Sequence, residues 1–151
     1  MKNSETDYQL HGFLIGNEIR FDIANRRLYR FLGSSTDKNI VFGTILFNET
    51  MLHLFVYLLV HGRYRIISKD ELLKEIWEAY DLSPSSQRLW KVLNNLIKKL
   101  DLIGLPDDFI MNIKGRGYRI NYPEITPIYY RVSELCTHSS IKDEMRELLR
   151  E

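Results

Sequence analysis

Cysteine is nearly absent from this 151-residue chain. Cys136 stands alone, which rules out an intramolecular disulfide and any CxxC metal or redox pair and fits a reducing cytoplasm. Long apolar runs are missing too. The longest, LFVYLLV at residues 54–60, falls far short of the roughly 20 residues that span a bilayer. The opening MKNSETDYQL has no signal-peptide core, so the polypeptide as given is expected to be soluble. Neither sign of charge dominates, and a formal net charge of +1 supplies no bulk field toward polyanions. Catalytic patterns are absent as well. His11, His53, His61 and His138 are scattered, without HExxH or an acidic partner at metal-ligand spacing, and there is no GxSxG, P-loop or GxGxxG. Cys136 and His138 share a tail with no scaffold for a dyad. His53 and His61 read as a half-buried polar residue and a helix-terminal cation. No catalytic residue, metal or cofactor is expected, and the chain does not read as an enzyme.

What the chain does contain is a change of hydrophobic period within a length that suits one core and a tail. In FLIGNEIRFDI two β-prone runs meet at Gly16 and Asn17, which both tolerate positive φ. RRLYRF follows Ala24 and Asn25, and NIVFGTILF follows the polar GSSTDKN, giving four short antiparallel strands before residue 48. From there the period is helical. Asn48 can cap a helix with Met51, Leu52, Phe55, Leu58 and Leu59 inward, and Gly62 offers a left-handed exit. The β-prone YRIIS then leads into Ser68-Lys69-Asp70-Glu71, a capping-box pattern that opens a second helix to about residue 79. Leu72, Leu73, Ile76 and Trp77 form its apolar face, with Trp77 as core.

Residues 83–120 carry the chemistry. SPSSQRLWKVLNNLIKKL predicts a helix over about 84–100, with Ser83 as cap and Pro84 at the first helical position. At about 100° per residue, Leu89, Leu93, Leu96 and Leu100 form one buried stripe. The opposite face collects Gln87, Lys91, Asn94 and Lys98, flanked by Arg88, Trp90 and Asn95. Asn and Gln can donate to and accept from adenine at once, Arg88 can fork onto guanine or a phosphate, and the lysines neutralise backbone charge. FIMNIKGRGYRI follows as a hairpin over about 109–120, in which Gly115 and Gly117 allow a tight turn that presents Lys114 and Arg116. Residues 85–120 hold seven cations against three acids, a balance of +4, whereas residues 121–151 hold four against six. Positive charge is thus concentrated on one unit, as on a nucleic-acid face. A solvated surface would account for the helix alone; the basic hairpin directly behind it favours a grip on a duplex.

These motifs, taken in order, resemble a known family. A β-prone N-terminal region, IISKDELLKEIW, a loop, a helix ending LNNLIKKL and the hairpin IKGRGYRI look like the OmpR/PhoB-type winged helix-turn-helix domain over about residues 12–121. Its G-x-G-Y-R wing element is matched by Gly115-Arg116-Gly117-Tyr118-Arg119. The resemblance implies an α+β fold: an N-terminal four-stranded antiparallel sheet, a three-helix core and a C-terminal β-hairpin wing. It also implies a bacterial transcriptional regulator that binds double-stranded promoter DNA sequence-specifically, with the recognition helix in the major groove and the wing on the backbone or minor groove.

Carried over by residue, the helix contacts implied are Arg88, Lys91, Val92, Asn94 and Asn95, and the wing contacts are Lys114, Arg116 and the Gly117 backbone; helical phasing adds Gln87 and Lys98. In some members the loop matching residues 80–83 touches RNA polymerase. One departure stands out. Leu96-Ile97 replaces the family's usual Leu-Arg, removing a phosphate contact and flattening the salt slope by about one, so homodimeric or tandem binding is expected.

Residues 1–121 are expected to form the DNA-binding domain. Residues 122–151 read as an irregular or partly extended connector and an amphipathic helix capped at Ser140, whose Ile141, Met145, Leu148 and Leu149 pack on the domain, pair with another chain or lead toward a missing segment. No receiver domain fits before Asn48. The domain order resembles ToxR/CadC-like regulators, whose cytoplasmic winged helix precedes a membrane span. The chain therefore reads as cytoplasmic, either a piece cut before a span or a free-standing relative. The rival reading is a winged-helix protein-interaction module that modulates transcription without reading DNA, favoured by the near-neutral charge and Ile97.

Overall fold

The computed structural model describes residues 7–31, 43–78 and 85–132. Ser83 and Pro84, the 80–83 loop, Cys136, His138 and the helix expected over 140–150 lie outside the described residues.

The β-prone runs form β1 (Tyr8–Ile15), β2 (Ile19–Asp22), β3 (Arg27–Arg30) and β4 (Thr44–Leu46). Their apolar residues share one face because the strand period is two. Phe13 pairs with Phe21, Phe21 with Leu28, and Leu28 with Ile45, and all four are buried. The turn into β3 is held by Asp22, whose carboxylate accepts from the Asn25 amide N–H and side chain at 3.2 and 2.6 Å.

A helix follows each of the next two polar caps. Asn48 Oδ1 accepts from Met51 N at 2.9 Å and starts α1 (Glu49–His61). Gly62 closes that helix in the right-handed region (φ −73°), not by the left-handed exit expected. Its amide donates to Leu58 at 2.7 Å, and its carbonyl accepts from Ile120 at 2.9 Å. Ser68 Oγ accepts from Glu71 N at 3.1 Å and starts α2 (Lys69–Leu72), which continues as a π-helical stretch over Leu73–Trp77. Leu72, Ile76 and Trp77 are buried.

The third helix, α3, spans Ser86–Leu102 rather than starting at 84, and its cap is Ser85, whose Oγ accepts from Arg88 N. Its end is a Schellman motif: Leu105 N donates to Leu100 O and Gly104 N to Asp101 O, with Gly104 at φ +92°. Arg30 in β3 donates from Nε and Nη2 to Ile103 O at 3.1 and 2.9 Å and pairs with Glu18. A cation thus complements the negative end of the helix and ties it to the sheet. The wing follows as β5 (Ile110–Ile113) and β6 (Gly117–Ile120).

The residues expected to be connector after 121 include a strand. β7 (Ile125–Arg131) pairs antiparallel along the whole of β1, so the sheet has five strands in the order β4-β3-β2-β1-β7. Pro123 and Pro127 disguise it. Proline lacks an N–H donor and suits only an edge strand, and β7 is the edge. Arg63 joins this strand to the helices, donating to Leu59 O at 2.7 Å and Ile125 O at 3.2 Å.

Sheet, helices and wing meet at Phe55, which is fully buried in α1. Its ring lies 4.9 Å from Phe21, 5.7 Å from Phe47 and 6.2 Å from Phe109. Phe55→Ala is expected to lower unfolding stability by about 3–5 kcal/mol in urea titration, and Phe55→Leu by clearly less.

Candidate nucleic-acid interface

Burial divides α3 as its phasing requires. Leu89, Leu93, Leu96 and Leu100 are at most 3% exposed. Gln87, Arg88, Lys91, Asn95 and Lys98 are exposed, and Asn94 is half-buried. Val92 is half-buried and packs against the core, which gives its side chain a structural use. Ile97 does the same, so the position where the family resemblance leads one to expect arginine here extends the apolar stripe. Lys99 is turned toward the sheet, where Nζ donates to Leu46 O at 3.1 Å.

The wing presents a second set of exposed cations. Lys114, Gly115 and Arg116 are exposed between β5 and β6, and the turn closes through Arg116 N donating to Ile113 O at 2.9 Å. Gly115 has φ +78° and open space around it. Gly117 is different. Its φ is +140°, and a Cβ there would lie 2.1 Å from Ile67 O. That closeness lets Ile67 and Tyr118 exchange two backbone hydrogen bonds, at 2.7 and 2.8 Å. The segment leading into α2 is thereby latched to the wing, and the Gly117 backbone serves this latch.

A charged cluster beside the latch escapes the sequence reading. In a capping box Glu71 would reach back to the Ser68 amide. Instead its carboxylate accepts from Arg65 Nη1 and Nη2 at 2.8 and 2.7 Å and from Tyr57 Oη at 2.5 Å. The Arg65 hydrogen bonds, aided by Tyr57, outweigh burial and hold the Glu71 carboxyl down to about 2. Burial first, then the bond to Glu71, push the Tyr57 phenol up to about 12. The only signal in the sequence was Arg65 six residues before Glu71, a spacing no local motif predicts.

The three described histidines lie on β1 and α1, not on α3 or the wing. His53 lies 3.7 Å from Glu49 on α1, His61 is in the last turn of α1 with its ring 4.5 Å from Tyr57, and His11 stacks edge-on to Tyr130. Among the described residues no group of His, Cys, Asp and Glu could hold a metal ion, and no helix is long and apolar enough to cross a membrane.

Comparison with known proteins agrees with this geometry. The family model described as "Transcriptional regulatory protein, C terminal" matches residues 45–120. Protein RcaC of Microchaete diplosiphon is 34% identical over 74 residues, which cover 49% of this chain and 11% of RcaC. Among solved structures, the DNA-binding domain of E. coli CadC aligns with a TM-score of 0.58 at 16% identity, over 80% of this chain and 98% of that domain. The C-terminal domain of the nisin resistance regulator NsrR aligns at 0.50 and 25% identity, over 77% and 98%. The AdeR DNA-binding domain, solved in complex with an intercistronic region, aligns at 0.53 and 17% identity, over 73% and 100%. These likenesses show the winged helix-turn-helix fold.

Two outcomes test the latch and the cluster. Gly117→Ala forces a Cβ against Ile67 O at a backbone angle disfavoured for alanine; it should cost about 1–3 kcal/mol and speed hydrogen exchange at the Ile67 and Tyr118 amides. The Glu71 contribution to stability is complete above the ordinary carboxyl value of 4.5 and is lost as pH falls through about 2. Urea midpoints of the native chain and Glu71→Gln should therefore differ most at neutral pH and converge between these values.

Proposed function

The chain belongs to the family of transcriptional regulatory protein C-terminal domains, and from that membership we propose how this DNA-binding regulatory domain reads its target. α3 lies in the major groove of promoter DNA, with Gln87, Arg88, Lys91, Asn94, Asn95 and Lys98 toward bases and phosphates, while Lys114 and Arg116 of the wing grip the adjacent backbone or minor groove. The observation that supports this reading is the pairing of an exposed amide and cation face on α3, backed by a fully buried leucine stripe, with an exposed basic wing tip. Such a surface offers side chains for base edges and charges for phosphates. Because Ile97, where the resemblance leads one to expect arginine, packs against the core, one fewer cation remains for phosphates than the resemblance implies. A single module also makes a small interface. Tandem or dimeric binding follows, and RNA polymerase is the further partner that the resemblance implies for residues 80–83.

The test is a titration of the chain against its own upstream DNA at several salt concentrations. Arg116→Ala should weaken binding across sequences and reduce the salt slope by about one. Asn95→Ala should cost about 1–3 kcal/mol on the preferred site, and Lys91→Ala should lower both affinity and slope. Absence of binding at low salt, or indifference to all three substitutions, would replace this reading with that of a protein-interaction module.

A further inference from the structure

Trp90 is 64% exposed near the start of α3. The four leucines already supply the buried stripe of this helix, so the indole has no packing role to explain its size. Leaving such a ring in water forgoes the gain that burial would bring. Its surroundings point to what covers it. Trp90 shares a shallow surface depression with Ser86, Gln87 and Lys91, and the first turn of α3 contains no acidic residue. An apolar ring is therefore framed by a hydroxyl, an amide and a cation on the surface already assigned to DNA. The apolar group that a duplex displays in its major groove is the thymine methyl, and the N-terminal part of a recognition helix lies nearest the base edges.

We propose that Trp90 packs on thymine methyl groups in the major groove and is a specificity-determining residue of the α3 face. This rests on the DNA-reading role proposed above and adds the base preference of that face. Gln87, three residues earlier and on the same side of the helix, can pair with adenine, so the two side chains together select an A·T step.

The chain has two tryptophans, and Trp77 is 2% exposed, so acrylamide quenching of the full chain reports on Trp90. The probe is a duplex enriched from a random-sequence library by the full chain, compared with a twin in which deoxyuridine replaces every thymidine. Saturation with the thymine duplex should shield Trp90 from acrylamide. The uracil twin should bind roughly fourfold more weakly per contacted methyl, the worth of one buried CH2. Trp90→Ala, whose exposed site leaves folding intact by circular dichroism, should bind both twins alike. Lys91→Ala should weaken both equally. If Trp90 stays accessible in the complex, or Trp90→Ala still discriminates the twins, the proposal falls while salt-sensitive binding lost in Arg116→Ala keeps the DNA-reading role standing. If Trp90→Ala binds a one-site duplex normally and loses only cooperative binding to a two-site duplex, the ring serves a contact between copies and the proposal is overturned. Absence of any salt-sensitive binding removes both readings.

Discussion

The burial of Phe55 is the constraint on which the rest of the molecule depends. Its ring meets Phe21 from the sheet, Phe47 from the entry to α1 and Phe109 from the base of the wing. Three parts of the chain that are far apart in sequence therefore share one packed site, and none can shift without opening a void. Protein interiors tolerate such voids poorly, because the lost contacts are not regained by relaxation. The placement of the wing relative to the helices thus draws on core packing together with the backbone bonds of Tyr118 to Ile67 and of Ile120 to Gly62.

A second layer of order comes from cations spent on structure. Arg30 holds the end of α3 to the sheet, Arg63 ties the end of α1 to β7, Arg65 is committed to Glu71, and Lys99 bonds Leu46. Each donates to a carbonyl or carboxylate of another element. The cations left exposed on α3 and the wing tip are those with no such role in the frame. A near-neutral chain can therefore still present a positive surface, because position and not total charge sets the local potential.

Much of this was legible along the chain, for identifiable reasons. The leucine stripe, the Asn48 and Ser68 caps and the turn at Gly115 are local patterns whose physics operates within a few residues. Other features were misread for equally local reasons. Ser83 before Pro84 looked like the cap of α3, and Ser85 takes that role. Glu71 matched a capping box, yet a bidentate arginine outcompetes a single backbone amide. Pro127 suggested a connector, although proline is compatible with the outer edge of a sheet.

The sequence by itself determined which helix faces are apolar and which polar residues open α1 and α2, because periodicity and capping are properties of neighbouring residues. Only the tertiary structure decided how those pieces are used. It packed Val92 and Ile97 against the core, bonded Lys99 to the sheet, brought β7 onto β1, and set Gly117 close against Ile67. These outcomes turn on contacts between residues distant in the chain, and no local pattern carries that information.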